Sequence, residues 1–328
     1  MINRRHLIAT SAAAILAPAV LVPAVSGRAQ AQAWPNRFVR LIVPLAAGGP
    51  TDVAARLVAE PLSKAWGQQV VIENRPGGGT NVAAEMVAKS APDGHTIFYA
   101  TSSLAVAPSL SRTLGYDPIG DFAPVTHLFD FPFYMFVPNS SPAKTVKEFI
   151  AHVKSNPGKI TMASPGTGSA PHLSAELFKK MADLDMTHVP YRGASLVLND
   201  LIPGRVDIYF ASGSLLENAR AGQIRVLGVT SPKPDPAAPE VPPIAETLAG
   251  FEVNSWQGLF VPTKTPPDIV KKIHSDTVAA LTSPTIKAKL QQIGYVAVGS
   301  TPEALAKMLK GEIVKWAAVV KDAGLKVN

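Results

Sequence analysis

Apolar residues fall into short continuous runs, and the segments between them carry apolar positions at helical spacing. The runs FVRLIVP (38–44), QQVVIENR (68–75), TIFYATSS (96–103), KITMASP (159–165), THVPYR (187–192), DIYFAS (207–212), RVLGVTS (225–231) and NSWQGLFVP (254–262) predict strands. A longer apolar stretch, HLFDFPFYMFVP (127–138), follows a loop rich in Pro and Asp. Helices are predicted from Thr51 to about Trp66, over Ala83–Ser90, from Thr145, from about Ser169 to Met181, and up to Leu201. Two more run from Pro267 to Leu281 and from Pro302 to about Lys321. In the last, Leu305, Met308, Leu309, Ile313, Trp316 and Val320 make one packing face. Strands that are apolar on both sides need cover on both faces, so the alternation predicts an α/β fold with parallel sheets between helix layers.

No sequence repeats at a fixed period, but the two halves share a grammar of strand, glycine-containing loop and helix. VPLAAGGPTDVAARL (43–57) in the first half corresponds to MASPGTGSAPHLSAELF (162–178) in the second. Such a pair predicts two α/β lobes whose loops face each other across a cleft, at the carboxyl ends of the strands where open sheets bind ligands. Residues 34–126 and 250–328 are expected to form one discontinuous lobe and 127–249 the other. The chain then crosses twice, near Pro124–Phe131 and near Phe251–Trp256, which gives a hinge.

The first 33 residues read as an export signal. Arg4 and Arg5 form a basic start, Leu7 to Val25 an apolar core, and Ala29-Gln30-Ala31 and Ala31-Gln32-Ala33 two small-x-small cleavage sites. Pro18 and Pro23 interrupt the core, which argues against a permanent membrane span. The paired arginines suit twin-arginine export and general secretion alike. Either route leads to the periplasm, and a lack of cysteine leaves stability to the core alone. Removing 33 of the 328 residues takes away three arginines and no acid, so the charge falls from +7 to +4. The remaining 295 residues suit two domains. With no basic block, nucleic acid is excluded as a partner.

Motifs for chemistry are missing. Neither glycine loop has a P-loop lysine, and Gly166-Thr167-Gly168 lacks the third glycine of a dinucleotide fingerprint. There is no G-x-S-x-G elbow for an exported hydrolase, and the seven scattered histidines make no zinc motif. No catalysis, cofactor or metal is therefore expected. Asp52 and Arg56, four apart on a helix, read as an ion pair. His172 reads either as a ligand contact or as a packing residue.

What the loops do offer is backbone. A helix start has unpaired N–H groups and a partial positive charge, and it holds an anion without lysine or arginine. Gly48 and Gly49 allow close approach and Thr51 adds a hydroxyl; Ser164, Gly166, Thr167, Gly168 and Ser169 repeat the arrangement in the other half. Taken singly, each loop also reads as a tight turn with an ordinary cap.

The run VPLAAGGPTDVAARLVAEPLSKAWGQQVVIENRPGGGTNVAAEMVAKSAPDGHTI (43–97) resembles the start of the tripartite tricarboxylate transporter substrate-binding proteins, the Bug-type family. SPGTGSAPHLSAELF (164–178), VPYRGA (189–194), GRVDIYFAS (204–212) and VPTKTPPDIVKKI (261–273) extend the resemblance over the whole mature chain. The resemblance implies a two-lobed periplasmic-binding-protein fold of type II character, closing as a monomer on a small organic carboxylate. It implies binding by Ala47, Gly48, Gly49 and Thr51 on one lobe and by Ser164 to Ser169 on the other, with Ser102 and Ser103 lining the same cleft. Arg192 in VPYRG is implied as the partner of a second carboxylate, its planar fork suiting that geometry. Asp207 is implied as an anchor of its lobe. The partner implied is a membrane permease, or else a membrane sensor that receives the liganded protein. Leu45-Ala46 departs from the Phe-Pro common in relatives, so no relative's ligand transfers directly.

Overall fold

The computed structural model describes residues 34–111 and 113–322, so the export signal lies outside the described residues. The first part of the chain runs β1 (Val39–Val43), α1 (Pro50–Trp66), β2 (Val70–Asn74), α2 (Asn81–Ala88), β3 (Thr96–Thr101), α3 (Ser103–Leu110) and β4 (Phe122–Pro132). The middle part runs β5 (Tyr134–Pro138), α4 (Val146–Lys154), β6 (Ile160–Ser164), α5 (Ala170–Met181), β7 (Met186–Pro190), α6 (Ala194–Leu201), β8 (Ile208–Ala211), α7 (Leu216–Arg220) and β9 (Ile224–Val229). After a long surface loop come β10 (Asn254–Pro262), α8 (Pro267–Thr282), α9 (Pro284–Gln292), β11 (Val296–Ala297) and α10 (Pro302–Asp322).

Two sheets result, ordered β11-β4-β10-β3-β1-β2 and β7-β6-β8-β5-β9. Neither is purely parallel, contrary to the expectation from alternation. β1 pairs in parallel with β2 and β3, and β6 with β7 and β8. β10 runs antiparallel to β3 and β4, and β5 antiparallel to β8 and β9. The antiparallel members are the strands that carry the chain between sheets, which need no helical crossover to pair with a neighbour. The apolar stretch 127–138 is divided at Phe133: β4 holds residues through Pro132 in the first sheet, and β5 opens the second.

Alternation sorts the second sheet's side chains into two layers. Met135, Val137, Ile208 and Phe210 face α4 and α5 with Phe149, Leu173 and Phe178, in a core continuous with that of the first sheet. Tyr134, Phe136, Tyr209 and Ala211 face the other way, onto Val197 and Leu201 of α6 and Leu216 of α7. Helix starts follow local chemistry. Gly49 precedes α1 with Pro50 at its first position, and α1 ends on Gly67 in the left-handed region at φ 61°. Ser169 caps α5, its hydroxyl accepting from the His172 N–H.

The two crossings between sheets are tied by one side chain. Thr230 is fully buried; its N–H donates to the Phe133 carbonyl at 2.8 Å, and its Oγ1 accepts from the Phe133 N–H at 2.8 Å. The same hydroxyl donates to the Val253 carbonyl at 2.6 Å, and the Val253 N–H returns to the Thr230 carbonyl at 3.1 Å. Thr230→Val keeps the shape and strands a buried N–H and a buried carbonyl, at about 1–3 kcal/mol each. Urea unfolding is expected to show a loss of about 2–6 kcal/mol, recovered by Thr230→Ser.

Candidate functional site

Between the carboxyl ends of the two sheets lie two adjoining cavities. The inner one is narrow, with a cavity volume of about 60 Å³, and the outer one is wider, about 810 Å³. Four helices begin on the wall of the inner cavity, at Pro50 of α1, Ser103 of α3, Ala170 of α5 and Ala194 of α6. Each start presents amides that no preceding turn can satisfy, and the partial positive ends converge on one space. No described residue on this wall is Asp, Glu, Lys, Arg or His.

Of the residues expected from sequence, Gly49, Thr51, Ser102, Ser103 and Ser169 line the inner cavity. Gly166, Thr167, Gly168 and Arg192 line the outer one, which Ser103 and Ser169 also reach. Ala47, Gly48, Ser164 and His172 line neither. Arg192 is exposed on the outer wall and away from the inner one, and no ion-pair partner meets it among the described residues.

The N–H groups of two of the expected glycines turn inward. Gly48 donates to Asp52 Oδ2 at 3.0 Å, and Gly168 to His172 Nδ1 at 3.1 Å. Asp52 is buried at the start of α1, where Arg56 and Asn74 also bind it. Burial works to raise its pKa, but the hydrogen bonds from Arg56, the Gly48 N–H and Asn74 outweigh it and hold the carboxyl below its usual range. Both glycines sit at positive φ, 78° and 79°, so what the sequence needs there is the turn itself.

Behind the second loop stands a histidine pair. His172 and His188 stack at 3.9 Å; Ser164 Oγ lies 2.7 Å from His188 Nε2, and His172 Nε2 lies 3.5 Å from Glu176. Because His172 Nδ1 accepts the Gly168 N–H, the neutral imidazole carries its proton on Nε2, facing Glu176. Burial, then the neighbouring His172, hold the His188 pKa down to about 4. Glu176 is lowered too: burial opposes ionisation, and His172 with Lys179 overcomes it. Ser164 and His172 therefore brace the loop from behind.

Sequence reading missed much of the inner wall. Gln257 on β10 donates from Nε2 to Thr51 Oγ1 at 3.3 Å and to the Tyr295 hydroxyl at 3.4 Å, while its Oε1 accepts from Tyr99. Thr51 Oγ1 accepts the hydrogen bond from Gln257 and keeps its own O–H as a donor at the cavity wall. Ser102 Oγ and Ser255 Oγ share a hydrogen bond at 2.9 Å. Phe131, Phe133, Tyr209 and Tyr295 supply the aromatic wall. A polar Gln in the apolar run NSWQGLFVP was the one signal available; Tyr295 gave none, since it precedes a two-residue strand.

Two α/β layers with a cleft between them, its inner wall free of charged side chains and set at opposed helix starts, have the form of a solute-binding protein of the periplasmic class. The tripartite tricarboxylate transporter family receptor profile matches residues 54–325. A protein encoded in the tcbD-tcbE intergenic region of Pseudomonas sp. (strain P51) is 37% identical over 307 residues, which is 92% of this chain and 91% of that one. Among solved structures, R. palustris Rpa4515 with adipate superposes with a TM-score of 0.86 at 38% identity, covering 89% of this chain and 98% of that one. The periplasmic binding protein BugD superposes with a TM-score of 0.86 at 33% identity, covering 89% and 99%. The chain belongs to the tripartite tricarboxylate transporter receptor family, and is a solute-binding receptor rather than an enzyme.

Proposed function

We propose that the protein captures a small organic carboxylate in the periplasm as a monomer, after cleavage of its export signal, and delivers it to a membrane permease. One observation carries this: four helix starts converge on a cavity whose described wall has no charged side chain. An anion is favoured there and a cation opposed. The adipate bound to Rpa4515 supports a carboxylate as that anion. In this reading the carboxylate meets first-turn amides of α1 and α5 and the hydroxyls of Thr51, Ser102, Ser103 and Ser169. Gly166, Thr167 and Gly168 shape the second loop. The lobes follow the two sheets: residues 34–132 with those from Asn254 onward form one, and Tyr134 to Val229 form the other. The first boundary thus falls after β4 and not at 127 as expected from sequence. The segments that join the sheets, at Phe133 and from Thr230 to Val253, act as the hinge.

Isothermal titration of protein stripped of bound solute by unfolding and refolding tests the reading, with small carboxylates set against their amides. Carboxylates are expected to bind and amides to fail; equal binding of both sinks it. Co-purification of permease subunits with liganded protein tests the delivery step, and retention of a membrane sensor instead would replace the permease.

Arg192 has a separate role here, drawing anions to the outer mouth. Arg192→Ala is expected to slow association by about threefold to tenfold at low ionic strength and leave dissociation unchanged. Stopped-flow fluorescence should show the difference vanish at about 0.5 M salt, where charges a few ångströms apart are already screened.

A further inference from the structure

We infer that His172 positions the second ligand loop as a proton-sensitive latch, so that protonating it opposes solute capture. The inference rests on the receptor reading above and adds its control by pH. His172 lines neither cavity and acts through Gly168, whose N–H donates to its Nδ1 at 3.1 Å. In a trans peptide the carbonyl points opposite to the N–H. Turning the Gly168 N–H inward therefore turns the Thr167 carbonyl outward, toward the first lobe. A Cβ built on Gly79, in the turn after β2, would lie 2.5 Å from that oxygen. One peptide plane thus joins a buried histidine to the contact between the loops after β2 and β6. The residues that follow it, Ser169 and Ala170, open α5 on the wall of the inner cavity.

The hydrogen bond to Gly168 exists only while Nδ1 keeps its lone pair. A proton on Nδ1 sets a donor against a donor, and the Gly168 amide has to turn away, taking the Thr167 carbonyl with it. The surroundings of the ring provide for that charge. Its Nε2 lies 3.5 Å from Glu176 Oε1, and Lys179 Nζ lies 3.6 Å from Glu176 Oε2, both on α5 itself. From β7, His188 stacks on the ring at 3.9 Å; burial, then His172, hold His188 down to about 4. From β6 comes Ser164, which does not titrate; its Oγ meets His188 Nε2 at 2.7 Å and accepts the Gly166 N–H at 3.2 Å. Two stacked imidazoles hold one positive charge far more readily than two, and His172 is the ring set against a carboxylate. A ligand that needs the latched loop and a proton that releases it are then antagonists, each lowering the affinity for the other.

The test is titration calorimetry on refolded, solute-free protein at about pH 7.5 and about pH 5.5, either side of the ordinary histidine value. Acetate, malate, adipate, citrate and benzoate serve as probes. The probe that binds tightest at the higher pH is expected to weaken about tenfold at the lower, the worth of one hydrogen bond. His172→Asn puts a carboxamide oxygen where Nδ1 stood and does not titrate, so its affinity should change by less than about twofold. His172→Leu offers no acceptor and should bind more weakly than His172→Asn at both pH values. A parent affinity that does not change with pH overturns the latch. A slope in His172→Asn equal to the parent's overturns it too and assigns the effect to the probe's own carboxyl, as does His172→Leu matching His172→Asn in affinity. Nuclear magnetic resonance on solute-free protein reads the latch without any probe: the Gly168 amide should shift along the titration curve of the His172 ring. An amide that stays put while the ring titrates, or a ring that does not titrate above about pH 5, overturns the latch whatever the affinities. Binding by none of the probes at millimolar concentration overturns the receptor reading instead, and the amide titration then decides the latch by itself.

Discussion

Gly79→Ala is expected to abolish ligand capture, with affinity falling by about a hundredfold or more, while the unliganded protein still folds. Gly79 sits in the turn after β2 at φ 64°, and an added Cβ would lie 2.5 Å from the Thr167 carbonyl oxygen on the loop after β6. That contact joins the two sheets through backbone alone, so no flexible side chain can yield. The substitution therefore opposes the close approach of these two loops. Part of any effect is local strain, since an alanine in the left-handed region costs about 1–2 kcal/mol. Gly48→Ala separates the two causes. Gly48 has φ +78° and nothing within 4 Å of an added Cβ, so it carries the strain without the collision. Calorimetric titration and thermal melts of both variants decide: Gly48→Ala should lose stability and keep binding. Equal loss of affinity in the two would mean that closure is not what Gly79 guards.

Stability should fall as the solution is acidified from about pH 6.5 to 4, by up to about 3 kcal/mol, through His188. The folded chain keeps this imidazole neutral down to about pH 4, whereas an unfolded histidine takes up its proton near 6.5. Between those values the unfolded chain binds more protons, so acid favours unfolding; the contribution is whole above pH 6.5 and gone below 4. The groups facing His188 are His172, Glu176, Lys179 and Ser164. The stacked His172 makes a second positive charge costly there, while Glu176 tempers it. His188→Gln retains a polar partner for Ser164 and does not titrate, so urea unfolding across this range should lose most of its slope. A separate loss belongs to lower pH. Hydrogen bonds from Arg40, opposed by burial and supported by Arg75, hold Glu73 at about 2, so its contribution disappears between about pH 4.5 and 2. A His188→Gln profile matching the parent from pH 6.5 to 4 would assign the acid sensitivity elsewhere.

Much of the fold was legible because it is local. The strand runs, the helix faces and the glycine loops depend on spacing within a dozen residues, and β1, α1, β6, α5 and α10 lie where that spacing puts them. The elements α3, α7, α9 and β11 were missed. α3 matters most, since its start at Ser103 places a third set of amides on the cavity where the pattern read a continuing strand.

Sequence by itself determined that two glycine-bearing loops open helices, that no cation, nucleophile or metal motif attends them, and that the chain carries the marks of its receptor family. Those properties reside in residue identity and near neighbours. Tertiary structure alone decided which amides face the ligand: Gly48 and Gly168 give theirs to Asp52 and His172 four positions on, a choice set by loop conformation. It also decided the inner wall. Gln257 reaches Thr51 across 206 positions, and Tyr295 stacks on Phe131 from the far end of the chain. Such contacts depend on strand register and on how two sheets meet, and both are fixed by the whole core; no short stretch of sequence encodes them.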